Sequence, residues 1–369
     1  MPETTNAVEL TQAEVTKVCV LLRREESGPA LRQARDRVQG LRSDLVPSIA
    51  TSADAAYGGV LGRIMFADGP TEPTLADGVP CLAAHMAHGS CAPVQEIWRT
   101  DRPVRSGVVG EAGAVFAEDG EHLFYAVRLG PQPVYRERVR DLYESALRFT
   151  WERGYTDLVR MWNLIGDITG PNAEGVEIYR DFCVGRAEAF ASWQAQIPQL
   201  PAATGIGTLS PGIDLWFLAA KQGRTVHLEN PRQTPAYKYP TRYGPKSPSF
   251  ARATFLQGQQ AGSLFVSGTA SILGEDTAHV DDIARQTLET LRNIDVLVSG
   301  DNLGRHGVSG DGYTVRDLDQ VKVYVRDPEH LATVRDICTQ VFYPDSEIAY
   351  FNVNACRPDL LVEIEGVCR

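Results

Sequence analysis

The feature that most limits how this 369-residue chain can fold is an internal duplication at domain length. A strand-like run over 123–129 is followed by an amphipathic stretch over about 135–153. There Val139, Leu142, Ala146 and Phe149 recur at helical spacing, and Gly154 is placed to end the helix. A strand from Asp157, a helix over about 176–194, a strand from Ala203 and a strand from Ile213 complete the first copy. The order then returns: a strand over 264–272, a helix over about 280–298 with Ile283, Leu291, Ile294 and Val298 on one face, and a strand over 319–326. Another helix opens at Asp327-Pro328-Glu329, with N-cap, first-position proline and first-turn acid in the favoured order. Two closing strands follow, joined at the corner Cys356-Arg357-Pro358-Asp359. Asp157 to Trp162 aligns with Asp319 to Tyr324, and Ser210-Pro211 with Arg357-Pro358. Strand, helix, strand, helix, strand, strand predicts an α+β fold. Each unit is a mixed sheet with two helices on one face, and the two pack as a pseudo-symmetric pair. At roughly a hundred residues, each copy is a domain rather than a solenoid repeat.

The flanking regions are less regular. Residues 1–50 are polar, with a charged stretch near 32–38, and read as an N-terminal arm, either frayed or forming a peripheral strand and turn. Residues 51–120 are rich in Gly, Ala and Pro and read as strands and loops, with a strand and turn over 98–109 and a hairpin turning at Asp119-Gly120. The expected division is an arm over 1–50, a first unit over 51–225, a connector over 226–255 and a second unit over 256–369.

The last strand, 360–367, alternates apolar residues with Glu363 and Glu365, which places both carboxylates on one face. That face is either solvated or the wall of a polar pocket. The repeat bears on the choice. With Pro211 laid on Pro358, Trp216 falls on Glu363, and the matching face of the first copy carries Asp214, Trp216 and Leu218. This pattern reads as one working site and one copy packed over. Lys322 alternates with Val321 and Val323 and reads as a surface position.

The connector holds five prolines, three tyrosines and five cations over 229–253, in a chain whose net charge is -11. Prolines keep it extended or turning. It is either a strap with its aromatics packed on a domain, or the wall of an anion-binding pocket, since Arg and Tyr supply donors for carboxylates. The acidic balance excludes a general nucleic-acid or anionic-membrane binder. No apolar run reaches the ~20 residues of a membrane span, and the first residues lack the basic and apolar parts of a signal peptide. Seven scattered cysteines without a CxxC read as reduced thiols of a cytoplasmic protein. Cys19, Cys81, Cys91, Cys183, Cys338 and Cys368 receive no role. His85 and His88 are not completed by further ligands, so no metal is expected.

Taken together, Tyr239-Pro240, Tyr243-Gly244, the run from Ser247 to Ala253, Ser267 to Ser271, Val321 to Arg326, and Asn354 to Gly366 resemble the chorismatases. The resemblance spans most of the chain from about residue 90 onward. It implies two tandem YjgF/Rid-like (chorismate-mutase-like) units, the first degenerate, in a monomer that imitates part of a Rid trimer. It implies chorismate as substrate, with no metal and no organic cofactor. The implied reaction is release of pyruvate with aromatisation to 3-hydroxybenzoate, a benzoate unit for secondary metabolism. The close alternative is hydrolysis to the dihydroxycyclohexadiene carboxylate and pyruvate. A second alternative is a non-catalytic small-ligand-binding Rid-like protein, since fold alone does not set function.

By resemblance the family's acid is Glu363. An enol ether is activated by protonating its methylene carbon, so this acid must keep its proton at neutral pH through burial and through Glu365 or substrate charge. The resemblance also implies that Arg252, Tyr239 and Tyr243 hold the substrate, with Arg252 at the end away from Glu363. Gly268, Thr269 and Ala270 shape the pocket floor, and Cys356 selects the branch. A cysteine at position 356 goes with 3-hydroxybenzoate formation, whereas Ala270 matches the diol-forming pattern, so the two signals diverge. Free cysteines are also commonly plain buried apolar residues. The arginine by which simple Rid enzymes hold an imine substrate's carboxylate is absent near 348–350, which disfavours imine deamination.

Overall fold

The computed structural model describes residues 12–22, 40–48, 59–89, 93–110, 113–258 and 262–369. Two large sheets carry the duplication. In the first, the strand order is Ala202–Thr208, Asp157–Gly166, Ile213–Ala220, His122–Leu129, Ala114–Glu118, Arg105–Val109. In the second it is Glu347–Asn352, Gln320–Val325, Val362–Cys368, Ser263–Ala270, Ala253–Leu256, Thr225–Leu228, apart from a short seventh strand, Ala87–His88, added at the outer edge of Glu347–Asn352. The two orders correspond strand for strand. In both, the third-listed strand runs antiparallel to the second, and the second runs parallel to the first. The correspondence reaches further than the sequence alignment, because both ends of the connector, Thr225–Leu228 and Ala253–Leu256, are strands of the second sheet. The closing strands on either side of Cys356 are therefore not paired with each other; Gln320–Val325 lies between them.

Each sheet carries helices on one face. Arg136–Glu152 and Ile178–Ser192 cover the first, burying Val139, Tyr143, Ala146 and Leu147 at helical spacing against Tyr125, Met161 and Phe217. Gly154 ends the first of these helices at φ +76, a conformation that favours glycine. Ile283–Val298 and Leu331–Val341 cover the second sheet. Asp282 caps the former through the Arg285 amide at 2.9 Å. Asp327 does not cap as expected: it pairs with Arg326 at 2.8 Å, and Pro328 starts a single 3-10 turn ahead of Leu331. Helix Gln12–Leu22, absent from the sequence reading, inserts Val15, Cys19 and Leu22 into this same helical layer. The charged stretch near 32–38 lies outside the described residues.

The helix-free faces turn toward each other. A third sheet of five strands, drawn from 42–100, packs into the same region. Leu61, Phe66 and Trp98 from it meet Phe124, Trp162 and Trp216 of the first sheet and Phe265, Tyr324 and Phe351 of the second. Two positions of the repeat are exact in register. Trp162 pairs with Trp216 in the first sheet, and Tyr324 pairs with Glu363 in the second. The first copy fills its place with two stacked indoles, their centroids 5.6 Å apart. Lys322 is a correction. It is 3% exposed, because the side of its strand that alternation assigns to water is covered by the third sheet. Among the described residues, no helix is long and apolar enough to cross a membrane.

Candidate active site

Where the edge of the first sheet meets the second, a cavity of about 430 Å³ opens. The two units are stitched together here. The Ala203 amide donates to Ser267 Oγ at 3.0 Å, and the Gly207 amide to the Asn354 carbonyl at 2.8 Å. Tyr179, Ala203 and Gly205 of the first unit form one wall. The connector supplies Tyr239, Tyr243, Phe250 and Arg252, and the second unit supplies Gly268, Ala270, Cys356, Arg357 and Glu363.

Glu363 is buried, and burial is the main force that pushes its carboxyl up to about 8. Glu365 adds to the rise, whereas Arg160 and then Arg252 oppose it. Glu365 is buried too but lies at the other extreme. The ammonium of Lys322 and the guanidinium of Arg160 outweigh its desolvation and hold it down at about 2. Its Oε1 accepts from Trp162 Nε1 at 2.8 Å and stands 3.0 Å from Lys322 Nζ. Its Oε2 accepts from Arg160 at 2.8 Å and from the Thr204 hydroxyl. Neither carboxylate is solvated, so the polar-pocket reading of this face holds for Glu363, and Glu365 anchors a buried ion network beneath it.

The remaining expected residues fall into place unevenly. Gly268 has a precise steric reason: a Cβ there would lie 2.0 Å from Glu363 Oε1. The Gly268 amide donates to Thr204 Oγ1 at 2.9 Å, the same hydroxyl that donates to Glu365. Ala270 pairs with Glu363 across the strands and lines the cavity. Thr269 does not reach the cavity; it is fully buried, and its hydroxyl donates to the Ser267 carbonyl at 2.9 Å. Cys356 lines the cavity, and burial first, then Glu363, raises its thiol. It is therefore a neutral thiol, not a thiolate nucleophile. Arg252 donates to the Tyr239 hydroxyl at 2.8 Å and the Thr234 carbonyl at 2.9 Å. Tyr243 donates to Asp276 at 2.8 Å, beside Arg242, which pairs with the same acid.

Several site residues were missed. Arg357, read only as part of a corner, stacks its guanidinium 3.9 Å from the Tyr243 ring centroid and 5.0 Å from that of Tyr239. It also donates to the Glu275 carbonyl at 2.9 Å. Of the four arginines on the cavity wall, Arg180 and Arg242 pair with acids, at 3.5 Å to Glu177 and with Asp276. Arg252 and Arg357 make no ion pair among the described residues. Tyr179, Arg160 and Thr204 come from the first unit, and no local signal in the sequence marks them as neighbours of Glu363. His85 and His88 serve structure, through Ser210 Oγ at 2.6 Å and the Phe66 carbonyl at 2.9 Å.

Comparison with known proteins agrees with this architecture. Residues 96–219 match the family described as chorismatase FkbO/Hyg5-like, N-terminal. A 3-hydroxybenzoate synthase from Streptomyces hygroscopicus is 47% identical over 84% of this chain and 91% of its own length. A chorismatase from the same organism is 41% identical over 84% of this chain and 89% of its own. A crystal structure of a chorismatase superposes with a TM-score of 0.85 at 38% identity, covering 90% of this chain and 99% of that one. Identity of this extent over most of each chain, on a duplicated α+β scaffold, makes this chain a member of the chorismatase family.

Proposed function

We propose that the cavity binds chorismate and that the chain converts it to 3-hydroxybenzoate and pyruvate, with Glu363 as the proton donor. One observation carries this reading: a buried carboxyl, pushed up to about 8 mainly by burial, shares a cavity with Arg252 and Arg357, two guanidinium groups that form no ion pair among the described residues. Chorismate brings two carboxylates and an enol ether. The two arginines match the carboxylates in charge and in fork geometry. Tyr239 and Tyr243 back the arginines, by hydrogen bond and by stacking.

Glu363 transfers its proton to the methylene carbon of the enol ether, which becomes a methyl group. The oxocarbenium ion that results lies against the new carboxylate, whose negative charge stabilises it at close range. The ring's own hydroxyl traps that cation as a cyclic ketal and releases its proton. The ring C–O bond of that hydroxyl then breaks as the neighbouring ring C–H loses its proton, which makes the ring aromatic. The remaining hemiketal collapses to pyruvate while the former ether oxygen leaves with the ring as a phenolate. Two protons are released, from the hydroxyl and from the ring carbon, and two are taken up, by the methylene carbon and by the phenolate, so Glu363 is reprotonated and no net water is consumed. Trapping by water instead gives the diene diol. Cys356 favours the first outcome as a neutral, weakly hydrating wall beside Glu363, with Gly268 and Ala270 as the floor. The relative at 47% identity, a 3-hydroxybenzoate synthase, supports the aromatising branch.

We further read the chain as a cytoplasmic monomer. The three sheets enclose their shared apolar core within one chain, and the described cysteines are all free thiols. The test is incubation of the purified chain with chorismate, following pyruvate and the aromatic product by mass spectrometry. Stoichiometric pyruvate and 3-hydroxybenzoate are expected. Pyruvate with the diol moves the assignment to the hydrolytic branch, and binding without pyruvate release makes the chain a ligand-binding protein.

A further inference from the structure

Behind Glu365 the three sheets meet, and each contributes a buried charge. Lys322 of the second sheet stands 3.0 Å from Glu365 Oε1 and 2.9 Å from Glu96 Oε1. Glu96 lies on Val94–Thr100 of the five-stranded sheet and is 1% exposed. Arg160 of the first sheet holds the other oxygen of Glu365 at 2.8 Å. Two carboxylates and two cations sum to zero. An uncancelled charge in such a place costs several kcal/mol, so each member depends on the others. Coulomb potentials add, so at Glu363 the negative charge of Glu96 offsets the positive charge of Lys322. Lys322 pairs with both acids, and Glu96 thereby compensates its charge, so that the negative potential of Glu365 at Glu363 is not cancelled by the cation.

We propose that Glu96 is a positioning residue for the reaction: by holding Lys322 as its counter-ion it balances the charges behind Glu363, and so keeps Glu363 in its proton-bearing form. This rests on Glu363 being the proton donor. The groups that face Glu363 are few. Glu365 lies on its own strand, Tyr324 opposite it, Arg160 in the first sheet, Tyr179 on helix Ile178–Ser192, Cys356 at the corner and Arg252 in the connector. Burial keeps both tyrosines and the thiol neutral. The charge that reaches Glu363 is thus set by Glu365, the two arginines and whatever modulates them. Burial also pushes the Glu96 carboxyl up against the pull of Lys322, so the balance operates only where Glu96 is ionised.

The experiment compares Glu96→Gln, Lys322→Met and the double variant in the full chain, reading the pH profile of pyruvate release. Glu96→Gln leaves a net positive cluster, and the alkaline limb moves to lower pH by about one unit, the effect of a unit charge at about 10 Å through an effective dielectric near 20. Lys322→Met does not lower the limb. The double variant is neutral again and restores it. An unmoved limb in Glu96→Gln overturns the proposal, as does a shift of the same sign in both single variants, which a merely structural role would produce. Should Lys322→Met not fold, the isosteric Glu96→Gln and the charge-neutral double variant carry the test. A second readout needs no turnover: the carboxyl infrared band of Glu363, isolated by difference from Glu363→Gln, is titrated in wild type and in Glu96→Gln. It shifts down in the variant if the proposal holds. Absence of pyruvate from the wild-type chain would count against the reaction, while this band still decides the role of Glu96.

Discussion

Glu363 and Glu365 stand on one face of one strand, both buried, and are driven to opposite protonation states, the first up to about 8 and the second down to about 2. Two carboxyls pushed apart in this way divide the work of acid and fixed charge. Glu365 is the fixed charge because Arg160, Lys322, Trp162 and Thr204 all serve it. Glu363 is the acid because it faces the cavity and its strongest neighbour is a like charge.

The pH dependence follows from this assignment. The proton donor must be protonated, so kcat/KM is expected to be flat below neutrality and to fall about tenfold per unit above about 8. Stability has the same sign. A carboxyl whose folded pKa is raised contributes fully below its unfolded value near 4.3, and that contribution is lost as pH rises toward the folded value. Glu363→Gln should therefore abolish pyruvate release and, relative to wild type, become progressively more stable between about pH 4 and 8, by roughly 2–5 kcal/mol at most. Thermal melts of both proteins across that range check the sign. A variant that loses stability there contradicts the buried, neutral acid.

Gly268→Ala tests the fit around the acid. Its Cβ would sit 2.0 Å from Glu363 Oε1 and 3.1 Å from Thr204 Oγ1, so the carboxyl must move. A displacement of this size is expected to lower kcat by about a hundredfold with a folded protein by circular dichroism. Activity near that of wild type would mean that the acid is not held where the strand places it.

Arg252 and Arg357 are expected to act on binding. Arg357→Met should raise KM by about ten- to a hundredfold with a smaller change in kcat, since it removes one charge-assisted pair to a carboxylate. Arg357→Lys should recover only part of that loss, because an ammonium lacks the planar fork that stacks on Tyr243. Steady-state kinetics on both variants separates the two parameters. A fall confined to kcat would place Arg357 in the chemistry instead.

Cys356→Ala addresses the choice of product. Removing the thiol leaves space for water beside Glu363, so the diol fraction should rise at the expense of 3-hydroxybenzoate while total pyruvate changes little. Chromatography of the products gives the ratio directly, and an unchanged ratio removes Cys356 from this role.

Much of the fold was legible because the duplication repeats a period of strand and helix that apolar spacing reveals locally. The alignment of Trp162 with Tyr324 and of Trp216 with Glu363 reappears as two equivalent cross-strand pairs. The third sheet was not legible. Its strands alternate weakly because they are buried on a face that only the other two sheets create, as with Leu61, Phe66 and Trp98. Lys322 was misplaced for the same reason: alternation names a face but not what covers it. Arg357 was overlooked because its stacking partners lie in a connector more than a hundred residues away.

The sequence by itself determined the two α+β units, the acid pair and the candidate anion-binding strap, since these follow from periodicity and residue chemistry along the chain. Only the tertiary structure decided which acid keeps a proton. That choice depends on Arg160 and Thr204 from the first sheet, Lys322 from the second and Glu96 from the third. Charges this deeply buried are set by the sum of their neighbours, and those neighbours are brought together by packing, not by order along the chain.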